Sequence, residues 1–206
     1  MDEYSTILAA IQRDERYLRN LDWGVPRPGH PEGTVRAHIA ELEQNLQQLH
    51  PHLTASEVWK LELLIHTHDT FKGGAEPSVA IDHPGSHSSL ARRFLEEFCP
   101  DEDLLAMVQW HDEPFALWRQ FSTRGRYNAQ RLAALLERIN DWSLFLTFQC
   151  IDGCTSGKSR KPLRWFLELT GDRVSRSIPG KRLLEGASDS PSTPDETGSR
   201  RDSQGD

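Results

Sequence analysis

The stretch that decides the fold is Leu61-Glu-Leu-Leu-Ile-His-Thr-His-Asp-Thr-Phe-Lys72, an apolar run that ends in His68 and Asp69. The preceding Thr54-Ala-Ser-Glu57 has the pattern of a capping box and predicts the start of a helix. A neighbouring imidazole and carboxylate, held at the end of a buried helix, offer two metal ligands from one rigid point. We therefore predict a central helix with a metal site at its carboxyl end.

Working outward from this stretch, apolar residues recur at helical spacing and alternating strand patterns are nearly absent. The chain of 206 residues is long enough for one well-packed domain. We expect an all-α domain over residues 1–185. Residues 186–206 are rich in Ser, Pro, Gly, Asp and Thr and are predicted to be a disordered tail. Besides the central helix, the pattern predicts helices over Tyr4–Leu21, Thr34–Leu49, Ser86–Phe98, a segment capped by Asp101, Asn128–Ile151 and Pro162–Leu169.

The composition excludes several functional classes. A net charge of −7, from 31 acidic and 24 basic residues, argues against non-specific binding to a nucleic-acid backbone. No apolar run approaches the roughly 20 residues of a membrane span, and the acidic start resembles no signal peptide. Three cysteines without scaffold spacing indicate reduced thiols and a cytoplasmic protein. Nine histidines are the compositional anomaly.

Several of these histidines and some aspartates fall on apolar helical faces or at helix ends. A buried polar side chain is costly unless it is paired or bound, and helical proteins build metal sites from such side chains in the core of a bundle. The candidates are His38, His68, Asp69, His83 or His87, His111 and Asp152.

At this point the pattern resembles the HD superfamily of metal-dependent phosphohydrolases. His30-Pro-Glu-Gly-Thr-Val-Arg-Ala-His38 is similar to the HPEGxVxxH entry of HD domains, and His68-Asp-Thr-Phe-Lys72 to the HDxxK form of their central motif. The resemblance covers about residues 29–169. The chain departs from it at His66 and Thr67, where the family usually has small or apolar residues.

The resemblance implies a set of ligands, with two choices left open. His38, His68, Asp69 and Asp152 would hold a first metal, and Asp69 would bridge to a second metal held by His83 and His111. His83 is preferred over His87 because its distance to Leu90-Ala91 suits the family better. Asp152 is preferred over Asp141 because it lies near the end of a long apolar helix and precedes a glycine turn, as in the family.

The function that the resemblance implies is hydrolysis of a phosphate ester, such as a nucleotide, with one or two divalent ions among Mn, Fe, Co, Ni, Zn and Mg. Asp69, Lys72 and Asp112 are the expected catalytic residues, with Glu113 as an alternative to Asp112. Arg27, His30 and Lys72 are the expected contacts of a small phosphorylated substrate. The alternatives are a nucleotide-binding regulatory module, a di-iron oxygenase and a helical interaction protein.

Two further patterns are interpreted as structural. Asp152-Gly-Cys-Thr-Ser-Gly-Lys-Ser159 imitates a phosphate-binding P-loop, but it has three residues instead of four between its glycines and follows a helix. Lys158 remains a candidate contact for an anionic substrate. Trp110, Trp118 and Trp142 are predicted to be core residues and not a base-stacking platform.

Overall fold

The computed structural model describes residues 3–171 and 177–185, and these form an all-α fold, as predicted. Within these ranges the extended pairing is limited to one isolated bridge between Arg27 and His30. The helices are α1 (Glu3–Ile11), α2 (Glu15–Asn20), α3 (Val35–Leu49), α4 (Ala55–Thr67), α5 (His87–Glu96), α6 (Glu102–Trp110), α7 (Glu113–Arg124), α8 (Ala129–Arg138), α9 (Trp142–Gly153), α10 (Lys161–Thr170) and α11 (Lys181–Glu185).

Helix α4 lies at the centre and packs against α1, α3, α5, α6 and α9. Its leucines Leu61, Leu63 and Leu64 are fully buried, as expected for a helix enclosed by others on several sides. The predicted capping box is present: Thr54 Oγ1 accepts the amide hydrogen of Glu57, whose carboxylate accepts that of Thr54. This cap fixes the start of α4, and the helix delivers His68 to its carboxyl end.

Two predicted helices were too long. The helix expected over Tyr4–Leu21 is interrupted, because Asp14 caps a new helix by accepting the amide hydrogen of Arg16. The helix expected over Asn128–Ile151 is two helices, α8 and α9. Ile139 is extended at their junction, and the Asp141 side chain caps α9 by accepting the amide hydrogen of Leu144.

Helix α7 was not predicted from the sequence. It carries Pro114 in its first turn, where the missing amide hydrogen has no helical partner to lose. It ends at Gly125, whose φ of 65° belongs to the left-handed region that glycine adopts without strain. α7 packs on α10 and forms one wall of the cavity described below.

Two further expectations concern the carboxyl-terminal tail and the absence of membrane-spanning helices. The tail predicted over residues 186–206 lies outside the described residues. Among the helices that are described, none combines the length and the apolar character needed to cross a membrane.

Candidate metal centre

The carboxylate of Asp69 lies at the centre of a ring of four histidines. Its Oδ2 atom is 3.4 Å from His68 Nε2 and 3.7 Å from His38 Nε2. Its Oδ1 atom is 3.4 Å from His111 Nε2 and 3.7 Å from His87 Nε2. Each oxygen therefore faces a different pair of imidazoles, and the side chain is buried between the two pairs.

Two groups of possible metal ligands result. His38, His68 and Asp152 place one ligand atom each within 4.8 Å of one another, and Asp69, His87 and His111 do the same. The two groups come from several helix ends that are distant in sequence: the first turn of α3, the carboxyl ends of α4, α6 and α9, and the start of α5. The fold therefore brings together the polar side chains that the sequence places on different helices.

Several atoms of these groups are buried without a hydrogen-bond partner among the described residues: His38 Nε2, His68 Nε2 and Asp69 Oδ1. His38 Nε2 is only 3.1 Å from Asp152 Oδ1, yet the geometry is not that of a hydrogen bond. Buried polar atoms without partners cost free energy, and here they converge with carboxylate oxygens. This mixed nitrogen and oxygen donor set fits a divalent cation.

Backbone carbonyls orient two of the imidazoles. His68 Nδ1 lies 3.0 Å from the carbonyl of Leu64, and His111 Nδ1 lies 2.8 Å from the carbonyl of Val108. A carbonyl oxygen only accepts, so each Nδ1 carries the hydrogen. In the neutral ring Nε2 then presents its lone pair to Asp69 and its surroundings, as in a metal-ligating histidine.

Burial and charge give Asp69, Asp152 and His68 the protonation states that ligands need, whereas Asp112 and Asp69 outweigh burial and raise the pKa of His111. Burial alone raises the pKa of Asp69, but the Lys72 ammonium and His68 outweigh it and hold that pKa well below its usual range. For Asp152, Lys158 and His38 likewise outweigh burial and lower the pKa. Burial lowers the pKa of His68. At neutral pH the two aspartates are thus carboxylates and His68 is a neutral imidazole.

The structure places His87, and not the preferred His83, beside Asp69 and His111. Ser86 caps α5 through the amide hydrogen of Ser89, so His87 becomes the first helical residue, with its Nε2 3.3 Å from His111 Nε2. His83 lies in the loop before the cap, and its side chain is 44% exposed. Its Nδ1 accepts the amide hydrogen of Gly85, and His83 belongs to neither group.

The other three candidate carboxylates, Asp141, Asp112 and Glu113, lie in three different surroundings. Asp141 is the cap of α9 and lies outside both groups. Asp112 lies at their edge, with Oδ2 3.2 Å from His87 Nε2. Although burial opposes it, His111 and His87 lower the pKa of Asp112, which is therefore a carboxylate at neutral pH. Glu113, whose side chain is buried, instead forms an ion pair with the partly exposed Arg131.

Glu32 is a site residue that the sequence analysis missed. Its Oε1 atom lies 2.9 Å from His30 Nδ1 and 3.1 Å from His38 Nδ1, and its side chain is almost fully buried. A carboxylate on the far nitrogen of a ligating histidine fixes the ring and makes it a stronger ligand. The available signal was its position inside the motif that runs from His30 to His38.

A cavity of about 590 Å³ opens beside the two groups. Its lining falls into two chemical sets. The polar set, called the floor below, includes Asp69, Asp112, Asp152, His30, Lys72 and Lys158, and the apolar set, called the wall, includes Pro114, Phe115, Trp118, Pro162, Leu163 and Phe166. Of the predicted substrate contacts, His30 and Lys72 line it, whereas Arg27 is exposed and does not.

The three tryptophans have different surroundings. Trp118 lines the cavity and stacks on Phe115, which corrects its assignment to the core. Trp142 packs edge-on against Phe145, and Trp110 lies under the guanidinium of Arg138, both partly buried against the core.

The segment that imitates a P-loop begins in the last turn of α9 and lines one side of this cavity. The guanidinium of Arg160 donates to the carbonyls of Gly153, Cys154, Thr155 and Lys158. These hydrogen bonds fix the conformation of the loop. Lys158 Nζ lies 2.6 Å from Asp152 Oδ1. The loop thus places an ammonium beside the metal-ligand candidates without the strand that a P-loop requires.

Searches against protein-family models, curated proteins and solved structures found no match to this chain.

Proposed function

We propose that this protein is a divalent-metal-dependent phosphohydrolase of the HD type that acts on a phosphate ester. The observation that carries the proposal is the position of Asp69, whose two oxygens face two separate groups of imidazole ligands. A shared carboxylate between two ligand groups is suited to holding two cations on one phosphoryl group. The motif from His30 to His38 and the His68-Asp69 pair support the same family.

The chemistry follows from the donor set and the neighbouring charges. A divalent cation held there would polarise a phosphoryl oxygen and lower the pKa of a bound water. The ammonium groups of Lys72 and Lys158, at the cavity floor, would neutralise negative charge on the substrate phosphate. Asp112, a half-exposed carboxylate at the edge of both groups, would orient the attacking water or accept its proton.

The cavity supports an organic phosphate as the substrate. A volume of about 590 Å³ is in the range of small-molecule sites, which are mostly apolar with a few polar groups at one end. Here the lysines and carboxylates form the polar end, while Phe115 and Trp118 belong to the apolar wall. The phosphate would lie on the floor and the leaving group, of up to nucleoside size, against the wall.

The first experiment is metal content by mass spectrometry, on protein purified without chelator, together with a screen of phosphate esters. We expect about two transition-metal ions per chain and hydrolysis of at least one ester in the wild type. Asp69→Asn should lose both, because it removes the negative charge that the two groups share. Asp82→Asn, an exposed aspartate, is the matched control and should keep both.

The possible outcomes separate the alternatives. No bound metal after incubation with Mn²⁺, Ni²⁺ or Fe²⁺ would contradict the enzyme and favour a helical interaction protein. Bound metal with tight nucleotide binding but no turnover would favour a regulatory module. Bound iron with oxygen-dependent product formation would favour an oxygenase.

A further inference from the structure

A second cluster of ligand-type side chains lies outside the Asp69 site. Glu43 on α3 and Glu62 and His66 on α4 place one ligand atom each within 4.8 Å of one another. His66 Nε2 is 3.1 Å from Glu43 Oε1 and 3.7 Å from Glu62 Oε2. Glu62 and His66 are one helical turn apart, so they share a face of α4, and Glu43 completes the group from the neighbouring helix.

The imidazole of His66 is oriented from outside the cluster. Its side chain is 5% exposed, and its Nδ1 atom forms a short hydrogen bond with the buried hydroxyl of Tyr17. Burial raises the pKa of Tyr17 to about 12, so the phenol stays neutral. Without a cation, Nε2 donates its hydrogen to the Glu43 carboxylate and Nδ1 accepts from the Tyr17 hydroxyl. When a cation takes the place of that hydrogen, the phenol oxygen can accept from Nδ1 and the lone pair of Nε2 becomes the ligand. A hydrogen bond on the far nitrogen is the usual support of a ligating histidine.

The charges of the cluster are not balanced by a fixed cation. In residues 3–171 and 177–185, no lysine or arginine forms an ion pair with Glu43 or Glu62. Burial raises the pKa of Glu62, and the Glu43 carboxylate adds to this effect although His66 opposes it. Two carboxylates that converge on one oriented imidazole nitrogen form a site at which a cation is favoured.

We propose that Glu43, Glu62 and His66 bind a divalent transition-metal ion, separate from the Asp69 site. One imidazole nitrogen and two carboxylate oxygens suit Zn²⁺, Mn²⁺, Co²⁺ or Ni²⁺. The ion cross-links α3 to α4, the helices that carry His38 and His68, and so stabilises the framework on which the first site is built. This inference does not depend on the proposed activity.

The test compares zinc stoichiometry, measured by mass spectrometry after equilibrium dialysis, with the zinc-induced shift in melting temperature. The decisive variant is Glu62→Gln, which keeps the hydrogen bonds of His66 to Tyr17 and Glu43. His66→Ala is less suitable because it would leave the buried Tyr17 hydroxyl unpaired. Glu96→Gln, an exposed glutamate on α5, is the control for loss of one negative charge.

We expect Glu62→Gln to bind about one zinc ion fewer than wild type and to lose part of the zinc-induced shift, because a ligand is missing. Glu96→Gln should match wild type in both. Equal stoichiometry and equal shifts in Glu62→Gln and wild type would overturn the proposal and leave His66 as an ion-paired core histidine. Asp69→Asn is measured in parallel. It should lose the zinc of the Asp69 site whether or not Glu62 binds zinc, so failure of one site is distinguished from failure of the other.

Discussion

Glu32 Oε1 lies 3.1 Å from His38 Nδ1, while His38 Nε2 lies 3.1 Å from Asp152 Oδ1. Each ring nitrogen of His38 therefore lies close to one carboxylate oxygen, although neither contact has the geometry of a hydrogen bond. Glu32 is buried and would hold the ring in the orientation in which Nε2 faces Asp152. Glu32 thus lies against the ring nitrogen opposite the metal-facing one, although it does not itself belong to the metal-ligand group of His38, His68 and Asp152.

We predict that Glu32→Gln weakens metal binding by about 10- to 100-fold, the range for loss of a carboxylate behind a ligating histidine. The amide keeps the shape of the side chain but removes the charge that strengthens His38 as a ligand. The measurement is competition with a chelator of known affinity. Glu15→Gln, on the exposed surface of α2, should leave the affinity unchanged. Equal affinity in Glu32→Gln and wild type would show that Glu32 serves only packing.

A second prediction uses the two histidines near the start of α5. His87→Ala should remove about one metal ion per chain, because His87 supplies a ligand atom to the group of Asp69 and His111. His83→Ala is the matched control, since its exposed ring lies in the loop before α5. Metal content by mass spectrometry distinguishes them. Loss of metal in His83→Ala with retention in His87→Ala would reverse the assignment.

These two histidines also show where sequence reasoning stops. The capping box of Thr54 and the apolar run of α4 are local patterns, so the central helix and its His68-Asp69 end could be predicted. The start of α5 was predicted to within one residue, but which histidine reaches Asp69 also depends on how the loop before the Ser86 cap folds. The preference for His83 was based on its spacing to Leu90-Ala91, and spacing along the chain does not show which way a loop side chain points.

The break between α8 and α9 was hidden for a related reason. The apolar stripe continues through Leu135, Ile139, Trp142 and Leu146, so the periodicity reads as one helix. The interruption comes from the Asp141 side chain, which competes for the backbone by capping Leu144. Glu32 was missed because a carboxylate in a loop belongs to no periodic pattern, and its partners are brought to it only by the tertiary fold.

A third prediction concerns the loop after α9. The guanidinium of Arg160 donates hydrogen bonds to four carbonyls of this loop. The ammonium of a lysine cannot reproduce that arrangement of donors. We expect Arg160→Lys to loosen the position of Lys158 and to raise KM for a phosphate ester several-fold, with a smaller change in kcat. Steady-state kinetics measures both. Arg126→Lys, an exposed arginine after α7, is the control. A fall in kcat with unchanged KM would contradict a role in substrate binding.

A fourth prediction tests the apolar wall of the cavity. Trp118→Ala removes a large ring from this wall, so esters with an aromatic leaving group should lose about 10- to 100-fold in kcat/KM. Esters with a small polar leaving group, such as glycerol phosphate, should change little. Trp110→Ala is unsuitable as a control because its ring is partly buried against the core; Trp23→Ala, on an exposed residue, is preferable. A uniform loss for all esters would indicate a general effect on the fold.

The last prediction concerns the ion pair of Glu113 and Arg131, which joins the start of α7 to α8. Glu113 is fully buried, and Arg131 is 39% exposed. Removing the cation leaves a buried carboxylate unpaired, which costs roughly 3–5 kcal/mol in fully buried pairs. Because Arg131 is partly exposed, we expect Arg131→Met to lower the free energy of unfolding by about 2 kcal/mol at pH 8.

The sign of the pH dependence follows from the carboxyl group. Burial raises the pKa of Glu113 and Arg131 opposes that rise, so the variant should raise it further. Between the unfolded and folded pKa values the native state then binds more protons, and stability falls as pH rises through that window. The loss of unfolding free energy caused by Arg131→Met should therefore become smaller as pH falls from 8 to 5. Urea unfolding at both pH values measures this loss, with Arg126→Met as the control. A loss of unfolding free energy that does not change with pH would contradict the role of Glu113.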